Sequence, residues 1–428
     1  MTDLVTRVPP TRALPLPRRA APALLGYAAV RALGLVVLAV WSAARGKNAY
    51  TLLTARWDAL WYTRVADLGY GYEVRLPNGD VHSNLAFFPL LPWLERLLHA
   101  LTPLSYADAG FAVSLLASLA AAGGIFAVAE HVYGGRVGMC AVLLWAVLPV
   151  GIVQSMAYSE SLFTALAAWS LYAVLTGRWL TAGTLAALAG LTRPVGLAVA
   201  AAVWVAGTAP FVRDRRVAAS PGARSDGRAP DPADEAHDGR VPAPTGAWSS
   251  TRAPSLSPAP AAPPWRRALG MLIAPLGTAA YVLWVGRRTG KGPLGYLDVQ
   301  AGWRNGFDGG YAFARFIADK FTSIPSALTG VALIIGVVLV IRLYVTGIRQ
   351  RQTLPLLVYT GVVTALALCA SSYFGSKPRL LLPAFPLLLP LALALARLRT
   401  SRSVLVTVGV AVASAVYGAF WLNGSGPP

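Results

Sequence analysis

Apolar and polar positions alternate along the chain as runs of about 20 apolar residues broken by short polar stretches. Such runs are long enough for a helix rising about 1.5 Å per residue to cross a hydrocarbon layer roughly 30 Å thick. The first extends from about Ala23 to Ala43, and further spans are expected near 110 to 130, 137 to 154 and 159 to 176, with the breaks EHVYGGR and QSMAYSES between them. From 179 to 212 the chain stays apolar for longer than one crossing needs, interrupted by Arg193 and Pro194. Proline disrupts a helix and a charge at mid-bilayer is costly, so this reads as two short spans with the Arg-Pro corner at the outer face. A second apolar half predicts spans near 268 to 286, 326 to 346, 354 to 372, 380 to 397 and 403 to 422, giving about 11 crossings. The expected fold is an all-α polytopic membrane protein.

The stretches between the runs set the organisation. Residues 1–22 form a basic tail with Arg7, Arg12, Arg18 and Arg19 and no acid after Asp3, which places the N-terminus in the cytoplasm. The N-terminal membrane half, 23–212, carries a first extracytoplasmic loop, 44–109, rich in Trp, Tyr and charge. Its segment LAFFPLLPWLERLLHAL contains Pro89, Pro92, Glu95 and Arg96 and suits an interfacial or re-entrant helix better than a clean span. Residues 213–265 hold ten of the chain's 32 prolines and almost no large aliphatics, the composition of a disordered cytoplasmic linker. The C-terminal membrane half, 266–428, has an external loop at 287–325. Alternating the spans from a cytoplasmic start puts Arg136, Arg178, the linker, the RQRQ stretch and Arg397, Arg399 and Arg402 all inside, as basic loops should be.

Charge adds one exclusion. The formal net charge is +19, from 37 Lys plus Arg against 18 Asp plus Glu. Because the basic residues cluster between apolar runs, orientation in the membrane explains them and nucleic acid is not an expected partner. Cys140 and Cys369 both lie in apolar stretches, and His82, His99, His131 and His237 show no metal-ligand spacing. No Gly-rich nucleotide loop follows a strand. No cofactor is therefore expected, with a divalent metal left open.

The first external loop reads ARWDALWYTRVADLGYGYE, with Asp58 between Trp57 and Trp61 and one helical turn from Tyr62. A carboxylate beside aromatic rings at a membrane surface is partly desolvated, which makes it a better base or a tighter cation partner. The same residues also describe an interfacial aromatic belt with an incidental acid. Glu160, between Ser159 and Ser161 at the outer mouth of a span, could bond an acceptor sugar or cap its helix. In the loop LDVQAGWRNGFDGG, Trp303, Arg304 and Asp308 are candidates for sugar contact, although its Gly and Asn residues also describe a plain turn.

Taken in order, RWDALWY with LGYGYE, AFFPLLPWLERL, AYSESLFTAL, GLTRPVGL and SKPRLLLPAFPLL resemble the PIG-V-type mannosyltransferases of the GT-C superfamily, a family with actinobacterial members. The matching elements span 56 to 389, and the linker has no counterpart. The resemblance implies a GT-C-like multi-span bundle with a helical first extracytoplasmic loop. It also implies a polyprenyl-phosphate sugar donor, mannose or a similar sugar, and a catalytic aspartate in the first outer loop, a role that falls on Asp58. At the GLTRPVGL corner the chain departs from eukaryotic members, which usually carry Asn where this chain has Pro194.

Chemistry agrees with that implication. Attack by a sugar hydroxyl on an anomeric carbon needs a base for its proton and positive charge for the departing phosphate. Asp58 is the base candidate; Arg193, Arg379 and, as a point charge, Lys377 are the phosphate-binding candidates, with Trp57, Trp61, Tyr62, Glu160 and Trp303 as substrate-binding candidates. Simple snorkelling at a span end is the plainer reading of Lys377 and Arg379. With one strong carboxylate, a single inverting displacement is expected, onto a lipid-linked, glycan or protein acceptor. The competing expectations are a transporter or flippase of lipid-linked saccharides, which would show ionisable residues within spans or inverted repeats, and a scaffold without chemistry.

Overall fold

The computed structural model describes residues 15–218, 263–371 and 373–424. In chain order its elements are α1 (Leu16–Ala44), then α2 (Ala49–Thr54), α3 (Asp58–Leu68), the strands β1 (Glu73–Arg75) and β2 (Val81–Ser83), and α4 (Leu90–Leu101). There follow α5 (Tyr106–Tyr133), α6 (Gly135–Ala146), α7 (Ser159–Leu175), α8 (Trp179–Gly190) and α9 (Leu197–Ala218). The second half comprises α10 (Pro264–Ile273), α11 (Leu276–Thr289), α12 (Gly295–Gly302), α13 (Tyr311–Ala318), α14 (Ile324–Arg349), α15 (Leu354–Cys369), α16 (Lys377–Leu380), α17 (Leu389–Arg397) and α18 (Thr400–Leu422).

Among the described residues, α1, α5, α10 with α11, α14 and α18 are each long and apolar enough to cross a bilayer. The stretches Phe374–Leu380 and Phe385–Arg397 make a further span bent by 77°. The outward side chains of α14 are aliphatic, with Ile324 84% exposed, Leu328 71% and Ile335 61%. A surface of that kind is stable against hydrocarbon and not against water. The chain is a multi-pass membrane protein with an all-α bundle.

Three expectations are corrected by proline and by hydrogen bonding. The span near 137 to 154 ends early, because α6 stops at Ala146 before Pro149 and the chain continues as a 3-10 turn, Gly151–Ser155. The freed carbonyls of Ala146 and Gly151 are taken by the guanidinium of Arg31, which is buried within α1. The span near 380 to 397 is interrupted at Pro383 and Pro386, where a straight helix would lose hydrogen bonds at a cost of about 3 kcal/mol each. The stretch expected as linker from 213 is still helical to Ala218; residues 219–262, like the first 14 of the basic tail, lie outside the described residues. The expected set of about 11 crossings needs the shorter apolar helices α6, α7, α8 and α15 and the segment Pro194–Ala209 to be completed by their flanking turns.

The two membrane halves interlock. Helix α5 packs against α1, α4, α6 and α7, while α18 packs on α1, α17 on α6, α15 on α9, and α10 and α11 on α8. The last of these contacts uses bare backbone. A Cβ on Gly183 would lie 2.3 Å from the Gly270 carbonyl oxygen, and one on Gly277 would lie 1.8 Å from that of Ala187. Any larger residue would push α8 away from α10 or α11, the close approach that small residues permit between membrane helices.

The outer loop is more than helical. Between α3 and α4 the chain turns back as an antiparallel hairpin, with Glu73 opposite Ser83, Val74 opposite His82 and Arg75 opposite Val81. Helix α4 is too short to cross and lies with Leu91 and Glu95 buried and Trp93, Leu97 and Leu101 exposed, as an interfacial helix does. Burial pushes the Glu95 carboxyl well above the usual carboxylate range where it packs against Gly110 of α5. The start of α5 is closed by a capping box: the Ser105 hydroxyl accepts from the Asp108 amide, and the Asp108 carboxylate accepts from the Ser105 amide.

Candidate active site

Asp58 is the first residue of α3, and the residue before it, Trp57, has a left-handed φ of 49°. The guanidinium of Arg56 lies 3.7 Å from the Trp57 ring centroid and donates to the Leu422 carbonyl at the end of α18. One turn on, the buried Tyr62 hydroxyl shares a 2.7 Å hydrogen bond with Ser159 Oγ. Burial pushes the Tyr62 pKa up, against the pull of Arg193. Asp58 and Tyr62 thus share the α3 face turned to the start of α7, and Tyr62 is an anchor rather than an open substrate contact.

From Asp58 a row of alternating charges runs inward. Asp58 Oδ2 is 2.8 Å from Arg379 Nη2; Arg379 Nε is 3.1 Å from Glu160 Oε1; and the same oxygen is 2.5 Å from Arg193 Nη1. The side chains of Glu160 and Arg379 are 1% and 9% exposed, against 26% for Asp58. Three further stretches, distant from α3, supply the rest of the row. Arg193 is held extended by Pro194 at the corner between α8 and α9, as a residue before proline is. Arg379 is carried by α16, with its guanidinium 5.0 Å from the centroid of the buried Tyr158 ring. Glu160 sits in the first turn of α7.

This corrects the expectation of an acceptor contact for Glu160. It reaches no open acceptor surface; in the first turn of α7 it is a buried carboxylate clamped by two arginines. Two charges out of water are stable only when paired in this way, and removing one partner of such a set typically costs about 3–5 kcal/mol.

Beside the row lies a cavity of about 120 Å³, lined by Arg193 and Arg379 together with Val195, Val363, Leu366, Leu380 and Pro383. Its lining is two guanidinium groups among otherwise apolar side chains.

Lys377 does not join this group. Its ammonium donates to the carbonyls of Ala367 at 2.9 Å, Leu368 at 3.2 Å and Ala370 at 2.7 Å, with the Phe313 ring centroid 4.5 Å away. The last turn of α15 leaves carbonyls without helical partners, and Lys377 satisfies them; its three protons are all committed. Simple snorkelling at a span end does not describe it either, since it is 3% exposed.

The external loop closes over the first loop. Trp303 stacks on His82 with centroids 4.0 Å apart, meets Trp61 edge-on at 4.9 Å, and donates from Nε1 to the Ser83 carbonyl at 3.0 Å. Trp61 in turn stacks on Phe87 at 5.6 Å. Arg304 pairs with Asp80 at 2.6 Å, and Asp308 accepts from the Gly310 and Ala312 amides at the start of α13. Trp61 and Trp303 therefore hold two loops together, and Asp308 is a turn residue. The pairing of Trp303 with His82 was missed in the sequence, where each stood alone. Among the described residues no three His, Cys, Asp or Glu side chains gather as a metal site would need.

A multi-span helical bundle with a buried row of ion pairs beside a largely apolar cavity defines the class: a multi-pass membrane protein with a charged cluster buried among its helices. Residues 39–211 match the family described as Mannosyltransferase (PIG-V). That segment, which contains Asp58, Glu160 and Arg193, is similar to this mannosyltransferase family. The crystal structure of ArnT from Cupriavidus metallidurans bound to undecaprenyl phosphate is similar at 16% identity and a TM-score of 0.49. That similarity covers 89% of this chain, which spans only 62% of the ArnT chain's length. No curated protein matches the chain.

Proposed function

We propose that the protein transfers a sugar, mannose first, from a polyprenyl-phosphate donor to a lipid-linked, glycan or protein acceptor at the extracytoplasmic face. The observation that carries the reading is the row Asp58, Arg379, Glu160 and Arg193 beside the two-arginine cavity. The family match over 39–211 supports the sugar and the reaction class. The four charges sum to zero, so a donor phosphate must compete with an acid for an arginine. Among the described residues Glu160 is buried and held by two arginines, whereas Asp58 is held by Arg379 and is the more exposed. Phosphate arriving at the Arg379 fork therefore loosens Asp58 and not Glu160.

That exchange couples donor binding to chemistry. Once released from Arg379, Asp58 takes the proton of the acceptor hydroxyl as its oxygen attacks the anomeric carbon. The bond to the phosphate oxygen breaks in the same displacement, the configuration inverts, and Arg379 and Arg193 stabilise the phosphate that leaves. The apolar lining of the cavity follows the donor's chain. In this topology the N-terminus and the 213–265 segment are cytoplasmic.

The test supplies polyprenyl-phosphate mannose, labelled in the sugar, to membranes containing the overproduced protein. Expected is label on an acceptor with inverted anomeric configuration. Movement of the intact labelled lipid across the bilayer without transfer would overturn the reading in favour of a flippase.

A further inference from the structure

Among the described residues, four that are not glycine have a left-handed φ: Trp57, Arg304, Arg351 and Tyr373. Each such residue is strained and persists only where its surroundings over-determine it, which is common at functional sites. Three of the four belong to distant stretches that converge on Asp58. Trp57 directly precedes it. Arg304 holds Asp80 of the hairpin and follows Trp303, which meets Trp61 of the helix that Asp58 begins. Tyr373 heads the turn into α16, which delivers Arg379 to Asp58.

Tyr373 has φ 48° and ψ 58°, and its side chain is 43% exposed. Both flanks are pinned. Upstream, Phe307 pairs with Ala370, the Ser371 amide donates to the Gly306 carbonyl at 2.9 Å, and Lys377 holds the carbonyls of Ala367, Leu368 and Ala370. Downstream, the Ser376 amide donates to the Tyr373 carbonyl at 2.8 Å. Partial burial, then the charges of Asp58 and Asp80, push the phenol's pKa up, while Arg304 pulls it down, so its hydroxyl lies within the field of all three. Glycine would sit at this position without strain. The chain instead places there a broad aromatic face, left exposed at the head of the turn that carries Arg379 to Asp58.

We propose that Tyr373 is a specificity-determining residue of the acceptor site, where its exposed ring packs against the apolar face of an acceptor sugar and sets that sugar's hydroxyl beside Asp58. The inference rests on the transfer reaction proposed above. An aromatic ring with a polar tip suits a ligand that is apolar on one face and hydroxylated at its edge. Removing it leaves the donor's arginines untouched and lets water compete with the sugar at Asp58.

The experiment uses full-length protein in membranes carrying their own acceptors, with labelled polyprenyl-phosphate mannose as donor. It measures two products, labelled acceptor and free mannose from attack by water. For Tyr373→Ala the ratio of transfer to hydrolysis should fall at least tenfold, and Tyr373→Phe should recover most of that loss. Tyr373→Gly, which relaxes the backbone without restoring the ring, should be as poor as Ala while melting no lower than wild type. A ratio within twofold of wild type for the Ala or Gly variant overturns the proposal, as does a parallel fall of both products. If wild type transfers no more than Asp58→Asn, the reaction itself is wrong and the inference falls with it.

Discussion

Asp58 and Arg379 meet at 2.8 Å although one opens a short helix in the first outer loop and the other lies in the broken span near the C-terminus. A base that is paired with a cation is a poor base until something takes the cation away. In the proposed reaction the donor phosphate is the competitor, and the pair would gate proton removal on donor binding.

Asp58→Asn keeps the shape of the side chain and removes its basicity. Transfer should fall by roughly 10²–10⁴, the usual share of a positioned general base. Protein level and melting temperature should hold, since Arg379 keeps Glu160 as partner. An initial rate above a tenth of wild type, on well-inserted protein, would reject the role.

Arg379→Ala should do two separable things. Donor titration should show a higher half-saturating concentration, and the fold should weaken by about 3–5 kcal/mol because Glu160 keeps a buried charge with one partner fewer. Adding Glu160→Gln should recover much of the melting temperature without recovering donor affinity. Recovery of both would mean that Arg379 serves the fold alone.

Lys377→Met should behave differently from either arginine. Three carbonyls at the end of α15 lose their donor, so stability should drop by roughly 1–3 kcal/mol. The donor concentration for half-maximal rate should stay within about twofold. A tenfold rise would return Lys377 to the phosphate site.

The clasp between the two outer loops should loosen in acid. Burial, partly offset by Asp80, lowers the His82 pKa beneath its stack with Trp303, so the folded state favours the neutral ring. The unfolded chain then binds the proton first. The stabilisation is complete above the ordinary histidine pKa of about 6.5 and is lost as pH falls below it. Melting temperatures measured between about pH 7.5 and pH 5 should drop less for His82→Phe than for wild type, since Phe can stack but cannot charge. Equal drops would exclude His82 as the cause.

The membrane class and the principal charges were legible in the sequence for physical reasons. Long apolar runs, basic loops and an arginine fixed by the proline after it are local signals, and Asp58, Arg193 and Arg379 carry them. Partnership was not legible. Glu160 looked like a cap because Ser and Glu at a helix start usually are one, and only the fold shows that two remote arginines claim it. Lys377 looked like a phosphate ligand because the carbonyls it satisfies belong to a helix end whose position depends on prolines further on. Tyr373 carried no signal beyond an aromatic before SKPR, since a left-handed backbone at a non-glycine residue cannot be read from residue type.

The glycine contacts that lock α8 onto α10 and α11 bridge the two sides of the segment 219–262. Covalent continuity through that segment is therefore not what keeps the halves together. A gene split there should yield two polypeptides that find each other in the bilayer and purify as one particle, whereas the same split after a bulky replacement at Gly277 should leave them apart.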